Sequence, residues 1–346
     1  MSAELNELRD SARTVLNGLG LAADENRAWP QIVELGWLLV GVPEAHGGLG
    51  QGLAGACAFH AELGRSLAPG LYAGALLALD AVCQSAAADL DRWVERLTTT
   101  ECTTAPLADC ALQLRAGRLS GVLTAVVSAD RADHVLVTTG DASLVALVPL
   151  AQTGIERVAR PTWDATRRLF DLRFDAVSLE KALILAQGDA APALIRRIAV
   201  QRDFALAADA VGGAEALLAM TVDYLQTRRQ FGRPLALFQA LKHRCADLQM
   251  LTVSAQALLQ DKLARIADVD AGDEAAATMA RIAKLHACGV YAQVAEEALQ
   301  LHGGIGMTSE HACHLYLKRA LLDEQLGRAA GSDALDIAAS VLGRGA

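Results

Sequence analysis

Apolar residues over positions 1–98 recur every three or four places, the spacing of helices that bury one face. Pro43-Glu44-Ala45-His46-Gly47-Gly48 interrupts the run, because proline and paired glycines stop a helix. Between 99 and 185 the pattern shortens. Leu119–Val127, His134–Thr139 and Ser143–Val148 are β-branched runs bounded by Gly, Asp and Arg, which predict a β domain. From 186 to 346 long helical periods return at Pro192–Thr227, Leu235–Ala267, Glu274–Leu301 and Glu310–Arg328. Their short Gly- or Asp-containing connections predict a four-helix bundle. The expected fold is mainly α with a β domain, divided as 1–98, 99–185 and 186–346.

Composition sharpens this picture. A chain of 346 residues suits two or three domains, and 53% hydrophobic residues with 4% aromatic, dominated by Ala and Leu, favour helix. A net charge of −9 without any Lys/Arg run excludes a nucleic-acid partner, which needs a basic footprint. The first sixteen residues alternate in charge, and no later stretch of about 18 residues lacks a polar break, so no signal segment or membrane span is expected. Seven scattered cysteines without a C-x-x-C pair read as reduced, small hydrophobic residues. A soluble cytoplasmic protein is the expectation.

Two segments carry chemistry. Arg228-Arg229-Gln230-Phe231-Gly232-Arg233-Pro234 ends one helix and precedes Phe238, Gln239, His243 and Asp247. Two guanidinium groups and an aromatic ring at one corner suit an anionic ligand with a planar ring. Taken alone, the arginines equally suit the negative end of a helix dipole. The second segment, Gln300-Leu301-His302-Gly303-Gly304-Ile305-Gly306-Met307-Thr308-Ser309-Glu310, frees backbone at paired glycines and lets Gln300 present its amide; a plain helix stop uses glycine too. It is not G-x-G-x-x-G, and no parallel βα pattern surrounds it. His311 and His314 are half a metal site without a third ligand, so no metal is expected. His243 and His302 read as structural, and the four tryptophans are too dispersed for an aromatic cage.

Together, RRQFGRP…FQ…H…AD and QLHGGIGMTSEH…LYLKRA resemble the carboxyl-terminal signature of the acyl-CoA dehydrogenase family. Leu35-Gly36-Trp37 and Val42–Gly50 are similar to that family's helical amino-terminal domain, and Asp164–Arg167 with Leu172–Asp175 to the end of its β domain. The resemblance implies FAD as cofactor, an acyl-CoA thioester as substrate and an electron-transfer flavoprotein as electron acceptor. It assigns Arg228 to the FAD diphosphate of a neighbouring subunit, Phe231 to the cofactor's face and Gln239 to its ADP part. Gln300, Gly303 and Gly304 line the adenine end.

The same resemblance requires a carboxylate base. One family position lies seventeen residues beyond Glu310 and falls on Gly327; the other lies twenty-nine before Phe231 and falls on Arg202. Neither is acidic. Asp203 and Glu324, the nearest carboxylates, are the candidate displaced bases, although each also reads as an exposed helix charge. Thr104–Cys110, reading TAPLADC, also lacks the Glu, Gly and Ser of the family's flavin-facing loop. The chain thus resembles a subunit of the actinobacterial α2β2 type, paired with a homologous chain that supplies the base. Its rivals are a self-sufficient homomer using a displaced carboxylate and a structural or regulatory subunit without flavin.

Overall fold

The computed structural model describes residues 3–343; positions 1–2 and 344–346, the extremities of the first and third expected zones, lie outside the described residues. Five helices come first: α1 Ala3–Leu19, α2 Glu25–Glu34, α3 Gly52–Arg65, α4 Tyr72–Cys83 and α5 Leu90–Thr99. The predicted break at 43–48 is a single tight turn, Glu44–His46, closed by Gly47 at φ 80°. Gly48 beside it is obligatory, since a Cβ there would lie 2.0 Å from the Val42 carbonyl oxygen.

Eight strands follow: β1 Thr103–Thr104, β2 Gln113–Arg115, β3 Arg118–Val127, β4 His134–Thr138, β5 Leu144–Pro149, β6 Ile155–Arg160, β7 Leu169–Ser178 and β8 Leu183–Gln187. They form two four-stranded sheets, ordered β1-β4-β5-β8 and β2-β3-β7-β6. Leu119, Leu123 and Leu172 of one sheet share a core with Val135, Val137 and Ala146 of the other. Isolated bridges at Pro106–Val126 and Leu112–Thr139 complete the barrel-like unit.

The last part holds α6 Ala191–Thr227, a hairpin of β9 Arg229–Gln230 and β10 Arg233–Pro234, then α7 Gln239–Ile266, α8 Glu274–His302 and α9 Cys313–Gln325. A further helix, α10 Ala330–Val341, lies beyond the four that periodicity predicts. By length and composition Gly188–Thr227 could cross a membrane, yet most of its apolar stretch is buried inside the fold. α6 is a core helix packed on α3 and α8. Its backbone touches α3 so closely that a Cβ on Gly212 would sit 1.8 Å from the Ala61 carbonyl oxygen.

A buried ion cluster joins the three parts. The fully buried Arg319 of α9 donates to Asp164 Oδ2 at 2.9 Å and Thr166 Oγ1 at 2.5 Å, both just before β7. It also reaches Asp209 of α6 at 3.3 Å and the Ala68 carbonyl after α3 at 3.4 Å. Arg167 pairs with Asp209 at 3.0 Å and with Asp323. Burial, with Asp209 as like-charged neighbour, pushes the Asp323 carboxyl up despite Arg167. Asp209 is held low: burial would raise it, but Arg167 and Arg319 outweigh that. The two neighbouring carboxyls are thus driven apart, Asp209 toward the charged and Asp323 toward the neutral form.

Candidate functional site

The two C-terminal motifs meet at one end of the bundle. Tyr224, in the last turn of α6, stacks on His302 at the end of α8 with ring centroids 4.6 Å apart and donates to its carbonyl at 3.3 Å. His302 also accepts the His311 ring at 4.4 Å and bonds the Ala298 carbonyl through Nδ1. The histidines therefore splice helix ends, and His311 packs in that stack with His302.

Arg228 caps α6 in extended conformation and leads into the β9–β10 hairpin. The turn is Phe231-Gly232, with φ of 53° and 77°. Positive φ at both central residues gives the turn whose twist matches a hairpin, and it normally takes Asn-Gly. A bulky aromatic in left-handed backbone is strained, and such strain gathers at functional positions. The Phe231 ring is 87% exposed and meets Phe238 edge-on at 6.0 Å, while the Arg233 guanidinium lies 4.0 Å over the Phe238 ring. Among the described residues no carboxylate pairs with Arg228 or Arg229.

Gln239 begins α7 and its amide lies 3.1 Å from His243 Nε2. Gln300 is exposed near the end of α8, Gly303 caps that helix at φ 64°, and Gly304 follows; a Cβ on either glycine would meet nothing within 4 Å. All six candidate cofactor residues thus face solvent at one corner, with open space over the glycines. A cleft of about 700 Å³ opens beside it, lined by Arg65, Met220, Tyr224, Thr227, His311 and Tyr316. Unpaired guanidinium groups, an exposed ring and bare backbone are a fitting donor set for a phosphate-bearing planar cofactor.

The positions expected for a base lie elsewhere, in the seam between β domain and bundle. Arg202 is buried and donates through Nε to Asp203 Oδ1 at 2.9 Å, with Asp109 3.8 Å from Nη1. Asp203 is itself buried, so the expectation of an exposed helix charge fails for it. The reason is that α6 is packed on most sides, and its charges must find partners inside. Glu324 is half-buried, and burial followed by the charge of Glu296 pushes its carboxyl up.

Gly327 takes φ 72°, and a Cβ there would lie 3.1 Å from Asp203 Oδ1 and 3.3 Å from Lys284 Nζ. Its N–H donates to the Leu107 carbonyl at 2.6 Å and its carbonyl accepts from Asp109 N–H at 3.1 Å. Lys284, buried in α8, was not foreseen as a partner. Its only sequence signal is a lone cation on a helix face lined with Ala280, Ala283, Ala287 and Cys288.

Comparison with known proteins identifies the family. The family model described as acyl-CoA dehydrogenase, N-terminal domain matches residues 2–101, and that of the C-terminal domain matches residues 191–341. The chain is 35% identical over 289 residues to acyl-CoA dehydrogenase IpdE2 of Mycobacterium tuberculosis, covering 82% of this chain and 77% of that protein. It is 30% identical to acyl-CoA dehydrogenase FadE28 of the same organism, covering 91% and 90%.

Among solved structures, a variant of the Tcur3481-Tcur3483 steroid ACAD superposes with a TM-score of 0.85 at 26% identity, covering 98% of each chain. The ChsE4-ChsE5 complex from M. tuberculosis has a TM-score of 0.87 at 22% identity, covering 99% and 98%, which speaks for the fold. FAD is the cofactor that goes with such proteins. With its amino-terminal helices and its whole bundle matched, the chain belongs to the acyl-CoA dehydrogenase family.

Proposed function

We propose that this chain is one of two subunit types in an α2β2 acyl-CoA dehydrogenase, lending its Arg228–Gly304 corner to FAD held largely by a homologous neighbour that carries the base. The observation behind this reading is the contrast between two places. The bundle-end corner has unpaired arginines, an exposed ring and open glycine backbone, whereas the seam expected to hold a base has an ion-paired arginine and a glycine.

When bound, FAD accepts the β hydride of the acyl-CoA. The rest falls to side chains. Arg228 would hold the diphosphate, its guanidinium able to bond two phosphate oxygens, and Arg229 would add positive potential. Phe231 covers the cofactor and excludes water, Gln239 bonds the ADP part, and the bare backbone of Gly303 and Gly304 with the Gln300 amide receives the adenine. The α proton goes to a carboxylate of the partner, and an electron-transfer flavoprotein takes the electrons. A CoA thioester of a steroid-derived acyl group is the substrate class, in line with the steroid ACAD that the chain resembles. A reducing cytoplasm suits its seven unpaired cysteines.

One observation favours a second reading, a self-sufficient homomer. The Glu324 carboxyl is raised by burial and lies three residues before Gly327, so it has the character of a proton acceptor. The test is flavin absorbance and turnover of the purified chain, alone and co-expressed with a homologous dehydrogenase. Flavin and turnover only in the mixture support the partner reading. Both in the chain alone support Glu324, and a flavin-free, inactive mixture refutes both readings.

A further inference from the structure

Lys284 is 1% exposed, and its ammonium serves one segment. It donates to the Arg328 carbonyl at 2.7 Å and lies 3.6 Å from Asp333, the fully buried carboxylate in the first turn of α10. Arg328 turns outward to Asp336 at 2.6 Å, with Asp333 at 3.8 Å and Asp109 of the β domain at 3.9 Å. Arg281, one helical turn before Lys284, reaches Asp336 at 3.5 Å. At the other edge, the two Gly327 backbone bonds zip the loop onto Leu107 and Asp109.

Two cations of α8, Lys284 and Arg281, therefore hold one stretch of chain beside the seam where Arg202 and Asp203 lie, and the stretch's own Arg328 reaches Asp109 across it. Space is used up there. A Cβ on Gly327 would press on Asp203 Oδ1 at 3.1 Å and on the end of Lys284 at 3.3 Å, so any side chain there must displace one of these two charged groups.

We propose that Leu326–Val341 is a strap locked by Lys284 across this chain's own seam between β domain and bundle, so that the seam takes no flavin or thioester. The lock stands on residues of this chain alone; that the chain serves only its neighbour's flavin rests on the reading above. The Gly327 backbone bonds and the Arg328–Asp109 pair tie the strap to the β domain, while Lys284 and Arg281 tie it to the bundle. A buried lysine whose partners sit on one short segment is a positioning residue, and loss of its charge frees that segment before anything else.

Amide hydrogen exchange of the full-length chain tests this, comparing wild type with Lys284→Met and the gentler Asp333→Asn. Both substitutions are expected to speed exchange over 326–341 by about tenfold or more, with α6 amides unchanged. Addition of FAD to the wild-type chain is expected to leave 326–341 as it was. Unchanged exchange in both variants, a rise spread evenly over the chain, or protection of 326–341 by added FAD would each overturn the lock. The neighbour's flavin is read separately, from the flavin content of the two-chain complex, so either idea can fail without the other.

Discussion

Arg319→Met removes a guanidinium that touches all three parts of the fold. In the native protein it satisfies Asp164 at 2.9 Å, Asp209 at 3.3 Å, the Thr166 hydroxyl and the Ala68 carbonyl. Methionine fills much of the space but leaves the Asp164 carboxylate buried without its cation, while Asp209 keeps Arg167 at 3.0 Å. Breaking a buried pair by deleting one partner costs about 3–5 kcal/mol. Unfolding entropy runs near 2.1 cal/mol/K per residue, so a chain of 346 residues loses roughly 4–7 °C of Tm for that change. Differential scanning calorimetry reads the shift directly. Adding Asp164→Asn should return part of it, because the orphaned charge goes with the second substitution. A variant melting within about 1 °C of the parent would show that the cluster is no keystone.

Three further outcomes are expected. Arg228→Ala lowers flavin retention in the two-chain complex by about 10- to 100-fold, the worth of a charge-assisted bond to phosphate, and a complex that keeps its flavin through gel filtration speaks against the corner's role. Gly327→Glu restores no turnover to the chain and destabilises it by roughly 2–4 kcal/mol, since its φ of 72° and the 3.1 Å contact with Asp203 both oppose a side chain; turnover gained by this single change would contradict the geometry. Burial brings the His60 imidazole from 6.5 down to about 4, with Asp209 opposing and Arg167 assisting. The unfolded chain then takes up a proton that the folded chain refuses, so stability is full above pH 6.5 and falls by roughly 3 kcal/mol toward pH 4. His60→Gln should flatten that stretch of the Tm profile, and identical slopes would refute the assignment.

Much of the fold was legible because the bundle helices are long and their apolar spacing regular: α6, α7 and α8 begin and end within a few residues of the periodic stretches. Shorter elements hid for physical reasons. β6, with sequence IERVAR, faces solvent along most of its length and carries three charges, so it lacks the β-branched run that marks β4 and β5. α10 follows a glycine loop and is held by ion pairs that no local pattern predicts. At the site, motif spacing brought out the arginines and glycines of the corner. It could not show that Phe231 sits in left-handed backbone, nor that Asp203 is buried, because α6 presents apolar residues on nearly every face and periodicity cannot say where its charges point. Lys284 and Gly327 meet through space, across 43 positions of chain.

The two-residue turn at Phe231-Gly232 is closed by paired strands on both sides, and its exposed ring touches only the edge of Phe238 among ring neighbours. A tip of this kind loses little freedom when it is covered, so association through it is fast to become tight and slow to release. It also cannot retract. A copy synthesised without its mate carries a bare aromatic barb flanked by arginines, a feature that invites misplaced contacts. If a second chain sheathes the barb as proposed, recombinant yield of soluble material should rise when the two messages are translated together.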